Sequence, residues 1–70
     1  MKKLQIKRGY GGEYDKLEVY QVTFDHPEVG LTGTELVFRV YDSGRDACIG
    51  LKPKQAQRVY DYLGKWLDGR

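Results

Sequence analysis

The sequence contains one cysteine, one histidine, two prolines and no long run of apolar residues. Because Cys48 is the only cysteine, a disulfide framework within the chain and a thiolate cluster for structural zinc are excluded. The basic N-terminus is not followed by an apolar segment long enough for a signal peptide or a membrane span. We therefore expect a cytoplasmic protein that does not associate with membranes.

Groups suited to catalysis are also scarce. His26 is the only histidine and precedes Pro27, a context typical of a turn. Cys48 is interpreted as a small buried apolar residue rather than as a nucleophile. The glycine-rich run 9–12 is not followed by the helix start, lysine and hydroxyl residue of a phosphate-binding loop. The sequence therefore predicts no enzyme, no metal site and no cofactor.

The residues that are present predict one small folded domain. The chain has 70 residues, of which 40% are hydrophobic and 31% are charged, a mixture typical of globular rather than disordered chains. A chain of this length builds one core, so residues 1–70 form a single predicted domain. The net charge is only +2, but five basic residues fall within the first sixteen positions: Lys2, Lys3, Lys7, Arg8 and Lys16. The N-terminal strand is therefore the most cationic region.

Alternating apolar residues predict four strands, over residues 3–8, 17–24, 35–41 and a short segment ending at 51. The third is the clearest, because Leu36, Phe38 and Val40 alternate with more polar residues. The second is apolar on both faces, with Tyr20, Val22 and Phe24 on one and Leu17 and Val19 on the other. Residues 25–34 hold one proline and two glycines, which predicts a long connection between antiparallel strands.

The last segment predicts an amphipathic helix over residues 53–68. Pro53 suits the first helical turn, and apolar residues follow at spacings of three and four, with Tyr60 and Trp66 expected in the core. The predicted fold class is therefore α+β, in the order β-β-β-β-α. Its one helix packs on one face of a four-stranded antiparallel sheet.

The opposite face of the predicted sheet has nothing to cover it. It would carry Lys3, Gln5, Lys7, Val37, Arg39, Tyr41, Cys48 and Gly50, with Leu17 and Val19 added. Such a mixture of basic, aromatic and apolar groups is expected of a ligand platform or of half a homodimer interface. Three of the six tyrosines, Tyr10, Tyr14 and Tyr62, are further predicted to contact a protein partner.

The run Ile49-Gly50-Leu51-Lys52-Pro53-Lys54-Gln55, which leads from a strand into a helix, resembles the positive-cofactor-four family of single-stranded-DNA-binding coactivators. The resemblance covers residues 36–63. It implies a homodimer whose sheets follow single-stranded nucleic acid. The residues it indicates for that contact are Arg39, Tyr41, Arg45 and Lys52, to which the face assignment adds Lys3 and Lys7.

Two functions remain open at this point. The first is a non-enzymatic domain that binds single-stranded nucleic acid through the open face of the sheet. The alternative is a phage or mobile-element protein that binds and inhibits a host protein, of the anti-CRISPR or another anti-defence type.

Overall fold

A computed structural model describes residues 2–9 and 15–69 of the chain. Its elements are β1 (Leu4–Lys7), β2 (Lys16–His26), a 3-10 turn (Pro27–Val29), β3 (Leu31–Asp42), β4 (Arg45–Leu51) and the helix α1 (Pro53–Asp68). The strands form one antiparallel sheet in the order β1-β2-β3-β4. The α+β class and the β-β-β-β-α order are thereby confirmed.

The connection between β2 and β3 is far shorter than predicted. The two strands stay paired up to His26 and Leu31, and only the single 3-10 turn separates them. The turn closes at Gly30, whose φ is 76° and whose N–H donates to the Pro27 carbonyl at 3.1 Å. The predicted long connection was wrong because the proline and this glycine both serve one tight turn.

The register of the strands separates two faces of different chemistry. We call one the apolar face: Leu4, Ile6, Leu17, Val19, Leu36, Phe38, Val40, Ala47, Ile49 and Leu51. We call the other the polar face: Gln5, Lys7, Lys16, Glu18, Tyr20, Val37, Arg39, Tyr41, Asp46 and Cys48, with Lys3 just before β1. Directly paired residues share a face, so apolar side chains lie beside apolar ones and polar side chains mostly beside polar ones.

One face assignment was wrong. Leu17 and Val19 were placed with the polar residues, but they pair with Val40 and Phe38 and so lie on the apolar face. Tyr20 pairs with Val37 on the polar face. Alternation within β2 does not decide between its faces because both carry large apolar side chains, whereas pairing with β3 does.

The helix contacts the sheet through its first turns. Pro53 and Ala56 line a cavity of about 120 Å³ together with Leu36 and Leu51, at one end of the apolar face. The N–H of Lys52 donates to the Gln55 side chain at 2.9 Å, which fixes the start of the helix.

Beyond these turns, the apolar side of the helix is largely exposed. Tyr60 exposes 72% of its surface, Trp66 56% and Leu67 56%. The expectation that Tyr60 and Trp66 belong to the core was therefore wrong. The spacing of apolar residues identifies the side of a helix that needs covering, but it does not identify the surface that covers it.

The core of this single chain is small. Among the described residues only Val19, Val37 and Glu18 expose less than a tenth of their surface. The radius of gyration is 14.6 Å, whereas a compact chain of this length has about 11 Å. The isolated chain is thus extended, with a thin sheet and a projecting helix.

Candidate nucleic-acid interface on the polar face

Glu18 lies at the centre of the polar face and is 4% exposed. Gln5, its partner across the β1–β2 pair, donates a hydrogen bond to Glu18 Oε2 at 2.5 Å. The Nζ atoms of Lys3 and Lys16 lie 3.4 and 4.0 Å from the same oxygen. The hydrogen bond from Gln5 is the main cause that lowers the pKa of Glu18, and the two lysines add to it against the opposing effect of burial.

Two tyrosine rings of the polar face lie beneath cations. Lys3 Nζ is 5.1 Å from the centre of the Tyr20 ring. Lys16 Nζ and the guanidinium carbon of Arg39 are 4.6 and 5.0 Å from the centre of the Tyr41 ring. These distances are those of cation–π contacts, so each ring holds positive charge close to the sheet surface.

Arg39 also pairs with a carboxylate on the edge strand. Its Nη2 donates to Asp46 Oδ2 at 2.6 Å, and both side chains remain partly exposed. This hydrogen bond is the main cause that raises the pKa of Arg39, so the guanidinium stays charged. Arg39 therefore presents a permanent positive charge beside the Tyr41 ring.

A second ion pair lies where β4 leads into the helix. Lys52 Nζ is 3.1 Å from Glu35 Oε2, and it also donates to the Thr32 carbonyl at 3.4 Å. The Glu35 side chain passes over Gly50, where a Cβ atom would collide with its carboxylate. The charge of Lys52 is thus largely engaged within the chain.

The structure brings most of the predicted nucleic-acid-binding residues to one side. Lys3, Lys7, Arg39 and Tyr41 share the polar face, and Lys52 lies at its end. Arg45 pairs with Asp42 in the β3–β4 turn, and the register places it on the side of the apolar face. It is therefore separated from the other five.

Of the three tyrosines predicted to contact a protein partner, the structure describes only Tyr62. Tyr62 is 71% exposed on the helix, away from the polar face. Tyr10 and Tyr14 lie outside the described residues.

Sequence reasoning missed the three residues that organise the polar face: Lys16, Glu18 and Tyr20. The available signal was the alternation of polar residues with Leu17 and Val19 at the start of β2. Because β2 was predicted from its apolar residues, its polar side was not included in the predicted site.

The chain has one histidine and one cysteine, His26 and Cys48. No group of three or more histidine, cysteine or acidic residues suited to a metal ion occurs within residues 2–9 and 15–69. His26 Nδ1 lies 3.4 Å from Glu28, and both side chains are exposed. Cys48 is exposed on the polar face, so the expectation of a buried cysteine was wrong.

No helix in the described part of the chain is long and apolar enough to cross a membrane. Comparison of the chain with protein-family models, curated proteins and solved structures found no match.

Proposed function

We propose that this chain is a non-enzymatic cytoplasmic domain that binds single-stranded nucleic acid through the polar face of its sheet. The observation that carries the proposal is the position of Lys16 and Arg39 over the Tyr41 ring. Proteins that bind single strands combine cations for the phosphates with aromatic rings on which bases stack. A base that stacks on Tyr41 displaces a flexible lysine, which is then placed to meet a phosphate.

The charge balance of the polar face supports the same function. Four cations, Lys3, Lys7, Lys16 and Arg39, lie with the carboxylates of Glu18 and Asp46. The Lys52–Glu35 ion pair at the end of the face adds no net charge. Glu18 is buried and organises the lysines, whereas Asp46 is half exposed and competes directly with an incoming phosphate for Arg39. This excess of positive charge favours binding of a polyanion. Because the excess is small, we expect the affinity to be moderate.

The order of elements agrees with the resemblance to the positive-cofactor-four family. The membership itself, and the contact residues that it implies, stay predictions.

The Arg39–Asp46 ion pair provides a direct test. Arg39→Gln and Asp46→Asn both break the pair, so any loss of folding stability has the same sign in the two variants. The two variants should change the affinity for nucleic acid in opposite directions. Arg39→Gln removes a group that contacts phosphate, whereas Asp46→Asn removes the carboxylate that competes with phosphate for Arg39. At 0.1 M salt we expect Arg39→Gln to weaken binding of a labelled oligothymidine about fivefold. Asp46→Asn strengthens it by a similar factor, as measured by fluorescence anisotropy.

The matched control is Arg58→Gln, which removes the same charge from the outer side of the helix. This variant should change the affinity less than twofold. Equal effects of Arg39→Gln and Arg58→Gln would show that only net charge matters. The absence of binding at micromolar protein in low salt would reject the proposal.

A second candidate is a protein-binding inhibitor, and one observation favours it. Large apolar side chains of the apolar face are exposed, Ile49 by 61%. Exposed apolar patches of this kind mark protein contacts. Capture from a host lysate separates the two functions, because a stoichiometric host protein without nucleic acid supports inhibition.

A further inference from the structure

Two lysines of the polar face each lie between a tyrosine ring and the same carboxylate. Lys3 Nζ is 5.1 Å from the centre of the Tyr20 ring and 3.4 Å from Glu18 Oε2. Lys16 Nζ is 4.6 Å from the centre of the Tyr41 ring and 4.0 Å from the same oxygen. In the free chain each lysine therefore covers a ring and neutralises Glu18 at the same time.

The proposed binding mode competes with both of these contacts. A base that stacks on the Tyr20 or Tyr41 ring takes the place of the ammonium group that covers it. The displaced ammonium group meets a phosphate of the bound strand, which lies above the sheet surface rather than within it. Binding of a single strand should therefore withdraw both lysines from Glu18.

Glu18 has little access to water that could replace the two lysines. It is 4% exposed, and a bound strand covers the polar face further. Arg39 pairs with Glu18 in the β2–β3 register, but its guanidinium donates to Asp46 at 2.6 Å. A buried carboxylate that has lost its ion pairs is costly as an anion, and protonation removes that cost.

We propose that Glu18 takes up one proton from the solvent when a single strand binds to the polar face, so that the affinity for nucleic acid increases as the pH falls. This inference rests on the proposed function and assigns a regulatory role to Glu18 at the same site. In the free chain the ionised carboxylate holds Lys3 and Lys16, whereas in the complex the protonated carboxyl group releases them to the phosphates.

The direction of the pH effect follows from the surroundings of Glu18 in the two states. In the free chain the hydrogen bond from Gln5 and the charges of the two lysines lower the pKa of Glu18. In the complex, the loss of the lysines and the negative phosphates both raise this pKa. A group that holds its proton more tightly in the complex strengthens binding as the pH falls from the higher pKa towards the lower one.

The other charged and titratable groups around Glu18 determine the controls. The described part of the polar face places these groups around it: Lys3, Lys7, Lys16, Tyr20, Arg39, Tyr41, Asp46 and Cys48. Of these residue types only aspartate changes its charge in the acidic range. Asp46→Asn therefore removes the second carboxylate that could respond to pH, and it leaves Glu18 in place.

Anisotropy titrations of a labelled oligothymidine at pH 7 and pH 5 measure the coupling, because thymine takes up no proton in this range. We expect the affinity of Asp46→Asn to rise at least about threefold from pH 7 to pH 5. The double variant, which adds Glu18→Gln, should bind at least about threefold tighter than Asp46→Asn at pH 7 and change less than about twofold with pH.

His26→Gln is the control for histidine, the residue type that titrates between pH 5 and pH 8. His26 ends β2, whereas Glu18 lies near its start, so this variant should keep the full pH response. Loss of the response in His26→Gln would assign the proton to the histidine and overturn the inference.

A proton count does not depend on the folding of any variant at position 18. Isothermal titration of the unchanged chain and of Asp46→Asn at pH 5.5, in two buffers with different heats of ionisation, measures the protons taken up on binding. We expect roughly half a proton or more per chain in both. Binding by Asp46→Asn without proton uptake overturns the inference and leaves the proposed function intact. Absence of binding at both pH values rejects the proposed function itself.

Discussion

Glu18 shows how a single buried carboxylate organises a surface made of cations. Lys3 and Lys16 are drawn to the same carboxylate oxygen, and Gln5 donates the hydrogen bond that fixes its position. An unpaired carboxylate at this depth would be costly, whereas a hydrogen-bonded and ion-paired one is tolerated. Glu18 therefore draws both lysines toward the centre of the polar face.

The lowered pKa of Glu18 predicts a specific dependence of stability on pH. Because the pKa in the folded state lies below its ordinary value of 4.5, ionised Glu18 stabilises the fold above that value. This contribution is lost as the pH falls through the lowered pKa. In Glu18→Gln we expect lower stability at pH 7 and a smaller loss between pH 5 and pH 2. Urea unfolding at fixed protein concentration measures both.

Glu28→Gln is the control for this prediction, since Glu28 is an exposed glutamate that lies beside His26. It should leave the stability at pH 7 and the acid profile close to those of the unchanged chain. Identical acid profiles for Glu18→Gln and Glu28→Gln would contradict the role assigned to Glu18.

At the scale of the elements, periodicity predicted the type and order of the elements, but not the full length of β2 and β3 and not what each element contacts. The α1 bounds were predicted as observed, because Pro53 and regular apolar spacing mark a helix strongly. The face of β2 was predicted wrongly, because its two sides are similarly apolar and only the pairing of Leu17 with Val40 distinguishes them.

The candidate site was predictable in part for the same reason. Arg39 and Tyr41 stand on a strand with clear alternation, so their shared face followed from spacing alone. The contributions of Lys16 and Glu18 depend on the β1–β2 register, which joins residues across the 10–14 segment. Local sequence carries no information on that register.

The tight turn between β2 and β3 gives a prediction for Gly30. Its φ of 76° lies in the left-handed region, which costs a residue with a Cβ atom about 1 to 2 kcal/mol. Gly30→Ala should therefore lower the free energy of unfolding by about 1 kcal/mol. Gly30→Asn should cost less, because asparagine tolerates this conformation. Denaturant unfolding of the two variants provides the measurement, and equal losses would speak against a conformational cause.

At the scale of the whole molecule, the two faces divide the tasks of the chain. The apolar face presents exposed aliphatic side chains such as Ile49, whereas the polar face presents the cations that are proposed to meet nucleic acid. A nucleic acid that binds there meets mainly electrostatic contacts, since the cations outnumber the carboxylates.

This division predicts a steep response of binding to salt. If Lys3, Lys7, Lys16 and Arg39 each meet one phosphate of a single strand, the affinity falls about 50-fold between 50 and 200 mM salt. Anisotropy titrations of an oligothymidine at several salt concentrations give the slope. Arg39→Gln should lower its magnitude by about 0.7. An affinity that does not change with salt would exclude phosphate contacts as the basis of binding.

The strict alternation of the two faces also limits which changes in chain length the protein tolerates. One residue inserted near the start of β2 or β3 rotates every later side chain of that strand to the other side of the sheet. Glu18 or Arg39 would then turn to the apolar face, and Val19 or Val40 to the polar face. The same insertion at Ser43 and Gly44, between paired strands, shifts no side chain across the sheet. Length variants of this protein should therefore accumulate at that turn and be absent from the long strands.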